Sequence, residues 1–483
     1  MLPLALALTV ALVTQDQTPL RALAHDNAPR QTALTSGDWL EVRGEAQGYL
    51  KVYDHRRERP GYVRPGQVHV YEAVEGSAPA LGAVVDYLRD APGQESLGIG
   101  YVALYLRVAR PEAVGPSVFD ALGTMAERLG RRASVRVAQP GDASLAAEIE
   151  VAESYGVHFA SVTREGMTQI CYDGEAFRRV LALGGTGMAR ARAALALTDP
   201  RCLDPSLGAT PALAVTKWQS EVLASVDPAL LDVEVPASTR ARLRLRRSIV
   251  SSELAFFAAR VGDVAAAKDA AETSKHELAL ADRALLADED RAAYEEAALR
   301  ASTVRWAGEP TPTKVPGSGI SVEIVAGEPG QTCVRLKTIG AQPFEHCTYG
   351  VVWPSSVRIA PHDAAVALVV VPMEGWSELL VLHPGANGWI ADTLAPAALD
   401  PDVGYVEVAG FSADGQHLLA VREARASGPL GSPHTLAPWI RKVYQTVTLA
   451  DLHVEKEVTV LANLPPAKRW DTADWKRGTL ALR

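Results

Sequence analysis

The period of the hydrophobic pattern changes twice along this chain, and that change constrains the fold more than any other feature. From about residue 18 to 73 apolar residues alternate with polar ones: Trp39-Leu40-Glu41-Val42, Tyr49-Leu50-Lys51-Val52-Tyr53, Gly61-Tyr62-Val63 and Val68-His69-Val70-Tyr71, with turns at Gly48 and Pro65-Gly66. Period two is strand behaviour, and short strands joined by Gly or Pro turns make a small barrel. From residue 74 to about 310 the period is helical. Leu81, Val84, Val85 and Leu88 fall on one face, and Val118, Leu122, Met125 and Leu129 repeat the spacing with Gly130 as the expected C-cap. Residues 254–271 predict two helices meeting closely across a turn at Gly262, and a closing helix runs from Asp288 to Trp306. After Pro310, Pro312 and Pro316 the alternation returns, with strands expected at 320–325, 357–359, 366–371, 379–382, 405–408, 418–421 and 443–449. The reading is a multidomain α+β protein: a barrel at 18–73, an irregular helical domain at 74–310, and an antiparallel β domain at 316–483, either a sandwich or partly propeller-like. Three domains suit 483 residues.

Within the first module, Leu20-Arg21, Gly37-Asp38-Trp39-Leu40-Glu41-Val42, Gly48-Tyr49-Leu50-Lys51-Val52 and Gly61-Tyr62-Val63 resemble the bacterial SH3-like domains of envelope proteins. Tyr49 and Tyr62 stand where that family often has Trp. The resemblance covers about an eighth of the chain and implies binding of peptides or cell-wall polymers rather than catalysis. Trp39, Tyr49, Tyr53 and Tyr62 are then the candidate ligand groove, since aromatic faces with polar tips suit extended ligands; a filled barrel core is the plainer alternative. The charged run His55-Arg56-Arg57-Glu58-Arg59 is expected to be a solvated loop tip. In the C-terminal third, residues 357–363 and Phe411-Ser412-Ala413-Asp414-Gly415 resemble β-propeller blade repeats, which implies a partner-binding surface.

Residues 2–13 are an apolar run broken only by Thr9. As a helix it rises about 18 Å, too short for a bilayer core of about 30 Å. It therefore reads as the hydrophobic part of a signal peptide at 1–17, although no Lys or Arg precedes it. No membrane-spanning segment is expected after signal removal, and the compartment implied is periplasmic or secreted.

The four cysteines divide as Cys171 and Cys202 in the helical region and Cys333 and Cys347 in the β region. Of three possible connectivities, the module boundary favours 171–202 and 333–347. Gly340 and Pro343 give a clipped hairpin between the latter two; the former would tie together the ends of a helical stretch at 175–197. A zinc site is not supported, because no Cys-x-x-Cys or paired His spacing occurs.

Catalytic signatures are missing. Gly184-Gly185-Thr186-Gly187 has no following Gly-Lys and reads as a helix–helix turn; His276-Glu277 lacks its second His at 280. Gly410-Phe411-Ser412 is not a nucleophile elbow, as Asp414 stands at its last position. The formal charge of −9 argues against nucleic acid as a partner. Arg240, Arg244 and Arg247, within a five-arginine run, are a candidate anionic docking patch, against the default of a solvated helix start. The expectation is a non-enzymatic, exported SH3-domain-containing protein. It would bind a cell-wall peptide or polymer or an envelope protein, with no cofactor, no metal and no implied oligomeric state. A cell-wall hydrolase with a carboxylate site in the helical domain, and a membrane-docked scaffold, are the alternatives.

Overall fold

The computed structural model describes residues 8–136, 143–164, 167–227, 231, 233–311, 318–339, 342–397, 403–426, 439–464, 470 and 472–480. The chain divides into two compact units, residues 1–208 with 225–235, and residues 209–224 with 236–483. The fold is mixed α+β, with a β-rich start, a helical middle and an antiparallel β-rich end. The domain expected at 74–310 is therefore not one body: its helices are shared between the two units.

In the first unit seven antiparallel strands form one sheet: β1 (Thr9–Val13), β2 (Thr18–Arg21), β3 (Arg30–Leu34), β4 (Trp39–Ala46), β5 (Tyr49–Asp54), β6 (Arg59–Val63) and β7 (Val68–Glu72), in the order β3-β2-β6-β5-β4-β1-β7. Leu34 of β3 and Val68 of β7, from opposite edges, join Ala11, Leu20, Leu40 and Val52 in one buried cluster, so the sheet curls around its own core.

The expected boundary at residue 17 is corrected here. Residues 9–13 of the apolar run are a strand, with Val10, Tyr71 and Glu41 in one row across β7, β1 and β4. Ala11 and Val13 point into the barrel; Val10 and Leu12 point into a second core built by helices. All four are fully buried. A strand covered on both faces needs no polar alternation, which is why the run reads like a leader. Residues 1–7 lie outside the described residues.

The helices on that face are α1 (Ala78–Arg89), α2 (Glu95–Val108), α3 (Pro116–Arg136) and α4 (Ala143–Ser154). A hairpin of β8 (Phe159–Arg164) and β9 (Met167–Tyr172) follows, then α5 (Glu175–Ala182) and α6 (Gly187–Leu197). Gly130 does not cap α3. It lies inside that helix, where a Cβ would meet the Ile170 carbonyl oxygen of β9 at 2.7 Å. Buried Glu95 of α2 pairs with Arg128 and Arg132 of α3, and Arg132 reaches Glu148 of α4 at 2.9 Å. These guanidinium groups hold the Glu95 carboxyl below its usual range even though burial acts in the opposite direction. Cys171 of β9 is bonded to Cys202, closing the α5–α6 segment as its spacing suggested.

The second unit begins with α7 (Ala209–Ala224), α8 (Ala237–Arg260), α9 (Val264–Leu280) and α10 (Asp288–Val304). Gly262, at φ +79°, turns α8 into α9 as expected. Three strands, β10 (Ile320–Ala326), β11 (Thr332–Thr338) and β12 (Phe344–Thr348), form a meander in which Cys333 and Cys347 stand directly opposite and are bonded. Nine strands form the main sheet: β13 (Val351–Val352), β14 (Arg358–Ile359), β15 (Val366–Met373), β16 (Trp376–Gly385), β17 (Gly388–Leu394), β18 (Gly404–Phe411), β19 (His417–Ala426), β20 (Trp439–Thr448) and β21 (Val454–Val458). A short α11 (Ala473–Gly478) ends the described chain.

This unit is layered. Ala367, Val369 and Val371 of β15 pack with Phe256 of α8 and Ala271 of α9; Val366, Leu368 and Val370 pack with Ile320, Val334 and Leu336 of the meander. The two blade-like stretches lie in a single sheet, joined where Trp376 of β16 pairs with Gly404 of β18, and are not separate blades. Among its tryptophans, Trp306, Trp353 and Trp376 are buried, and Trp353 donates to the Thr303 carbonyl.

Candidate functional site

The outer face of β4 and β5 carries the residues that sequence reasoning singled out. Alternation sends Leu40 and Val52 into the barrel and turns Trp39, Glu41, Arg43, Lys51 and Tyr53 outward. Pairing of Glu41 with Tyr53 brings the two outward rows together, and a bulge between Val42 and Gly44 bends β4 beyond them. The Arg43 guanidinium lies 4.0 Å from the centre of the Tyr53 ring and donates to Glu41 through Nε and Nη2, both at 3.0 Å. The His55 Nε2 is 2.7 Å from Glu41. Its ring meets Tyr53 edge-on at 4.9 Å and stacks near Trp39 at 6.4 Å. The Arg107 guanidinium of α2 lies 5.0 Å from the centre of the Trp39 ring.

The result is a half-exposed row of alternating aromatic rings and planar cations. The Arg43 hydrogen bonds, with His55 behind them, hold the Glu41 carboxyl below its usual range, so it is a fixed anion rather than a proton donor. Such a surface can stack against sugar or aliphatic faces through its rings and reach acidic groups through its guanidinium groups.

The four expected groove residues separate. Trp39 and Tyr53 meet through His55. Tyr62 shares their sheet face, opposite Lys51 and diagonal to Tyr53. Tyr49 does not join them. It is buried, with its hydroxyl donating to Asp26 and the Arg64 guanidinium 5.8 Å from its ring centre. Its role is structural, because a phenol enclosed at a barrel end is held by a carboxylate and a cation. Arg43 and His55 are the additions, and period-two counting from Trp39 and Tyr53 would have placed them on the same face.

The loop read as a solvated charged tip is partly enclosed. Arg56 reaches Asp38 at 2.9 Å, while Arg57 bridges Asp38 at 3.1 Å and Asp54 at 2.8 Å, both carboxylates being buried. The anionic patch is also corrected. Arg244 and Arg247 fold onto the Glu277 carboxylate at 3.2 and 3.4 Å, Arg247 also donates to the Leu223 carbonyl, and Arg240 is half-buried. The helical turn spacing that made a charge run also points these side chains at α9.

Glu253 of α8 lies in a different setting. Its carboxyl is 4.0 Å from Arg300 of α10, which also holds Glu296 at 2.8 Å and Glu374 from the β15–β16 turn. Thr216 of α7 donates to Glu253. Burial, then the neighbouring Glu374 charge, pushes the Glu253 carboxyl up to about 7. Three carboxyls around one guanidinium favour one of them remaining protonated.

Among the described residues, no helix is long and apolar enough to cross a membrane. The His, Cys, Asp and Glu groups close enough to hold a metal ion reduce to Cys333, Glu345 and Cys347, whose sulfurs are already bonded to each other. No protein-family model matches the chain, and no curated protein does. A match among solved structures is the crystal structure of the S-layer protein rSbsC(31-844), 13% identical with a TM-score of 0.15. It covers 80% of this chain and 56% of that one, so this chain spans about half its length. Superposition that poor supports no conclusion about fold or role.

Proposed function

We propose that this is a non-catalytic binding protein of the bacterial cell envelope, whose barrel is SH3-like and takes an extended cell-wall peptide or polymer along Trp39, Tyr53 and Tyr62. The observation that carries the reading is the half-exposed row on β4 and β5 in which Trp39, His55, Tyr53 and Arg43 follow one another in ring contact. Two disulfides support an oxidising compartment, periplasmic or extracellular. Support for export rests on those bonds and not on residues 9–13, which belong to the sheet.

Sedimentation of the full chain with purified peptidoglycan, paired with release of dye from labelled peptidoglycan, tests the reading. The expected result is binding without release, weakened about five-fold or more by Tyr53→Ala with an unchanged melting profile. Equal binding by Tyr53→Ala removes the proposed groove. The hydrolase reading keeps one supporting observation, the raised carboxyl of Glu253. Dye release abolished by Glu253→Gln would replace binding by hydrolysis as the function.

A further inference from the structure

The two disulfides differ in what surrounds them. Cys171 and Cys202 form part of the wall of a cavity of about 190 Å³. Cys171 is buried on β9, and Cys202, at the end of a single 3-10 turn (Pro200–Cys202), is exposed. Arg131 of α3 and Arg201 line the same cavity with Ser134, Gln169 and Tyr172. Each guanidinium has a carboxylate beside it, Glu127 at 3.4 Å and Asp199 at 2.6 Å, so the charges in the wall balance. An arriving anion is not repelled there.

Cys333 and Cys347 have the opposite setting. Both sit in paired strands, Cys333 is buried, Cys347 is half-buried, and the Glu345 carboxylate lies within 4.8 Å of both sulfurs. Glu345 is paired with Arg335 at 2.7 Å, so charge is balanced here too and burial is what separates the two bonds.

We propose that Cys202 is a modification site for small thiols, which enter the cavity and open the Cys171–Cys202 bond. A thiolate, having lost its proton to solvent, attacks Cys202 Sγ in line with the disulfide. A new S–S bond forms between thiol and Cys202, the old bond breaks, and its electron pair leaves on Cys171 Sγ, which takes up a proton. No external oxidant or reductant is needed, because the exchange trades one disulfide for another. Attack falls on Cys202 because it is the exposed member of the pair, whereas Cys171 is buried. Exchange unties the end of the α5–α6 segment from β9.

The test uses the oxidised full chain with glutathione at millimolar concentration, acid quenching, and peptide mapping of mixed disulfides over time. The expected adduct is on Cys202 with Cys171 as the free thiol, forming about ten-fold or more faster than any adduct on Cys333 or Cys347. Equal rates for the two pairs, a first adduct on another cysteine, or a ten-fold gap that persists in denaturant would each overturn the proposal.

Discussion

Strands β1 and β15 are the same kind of object in two different units, and sequence treats them very differently. Both are almost wholly apolar runs buried on both faces: β1 between the barrel interior and the α1–α3 core, β15 between α8–α9 and the β10–β12 meander. β15 reads correctly as a strand because β-branched residues dominate it and its partner β16 follows directly across a turn. β1 has no such neighbour. Its partners β4 and β7 lie about 25 and 55 residues away, and further apolar residues precede it, so the same burial pattern imitates a leader. A continuous apolar run establishes burial; what does the burying depends on partners that arrive later in the chain.

The largest test of that parallel is removal of residues 1–17. A chain beginning at Thr18 loses the strand between β4 and β7, and the first unit is expected to lose cooperative folding, seen as lost far-UV ellipticity and rapid proteolysis. A Thr18 chain that melts like the full protein would show that β1 is dispensable and the parallel false.

Truncation within each strand sharpens it. Leu12→Ala removes contacts on the helix side of β1, and Leu368→Ala those on the meander side of β15; each is expected to cost about 2–5 kcal/mol in denaturant unfolding. A cost for Leu12→Ala below about 1 kcal/mol would mean that the helices barely rely on β1.

The end of β15 offers a pH-dependent comparison, because Glu374 in its following turn shares Arg300 with Glu253. The folded protein holds the Glu253 proton up to about pH 7, whereas an ordinary glutamate releases it near 4.5. Stability from this group is therefore complete at pH below about 4.5 and declines as pH rises through 7. Glu253→Gln should stabilise the second unit by roughly 2–3 kcal/mol at pH 8 and by almost nothing at pH 4, measured by thermal melts across that range. A pH-independent difference would remove the buried-carboxyl account.

The smallest expected effect concerns the sheet that β1 completes. Tyr49→Phe deletes the hydroxyl that meets Asp26 and should cost about 1 kcal/mol in stability without altering peptidoglycan binding. Lost binding with unchanged stability would return Tyr49 to the groove.

Much of this protein was legible from local pattern. Period two located β4–β7 and most of the main sheet, the 3.6 period located α1, α3 and the α8–α9 hairpin, and the division of cysteines between modules identified both disulfides. These succeed because each depends on residues close in sequence, or on only three possible pairings. The candidate groove was half legible: alternation placed Trp39, Tyr53 and Tyr62 outward, but parity could not show that Tyr49, on the same row, is closed over by Asp26 and Arg64. Tertiary structure alone decided the rest. It made residues 9–13 a strand, divided the helices between two units, turned Arg244 and Arg247 onto Glu277, and placed Ile170 against Gly130. The physical reason is common to all four. Hydrophobic burial and charge pairing depend on which surfaces meet, and a linear pattern records that a side chain needs a partner without recording which one.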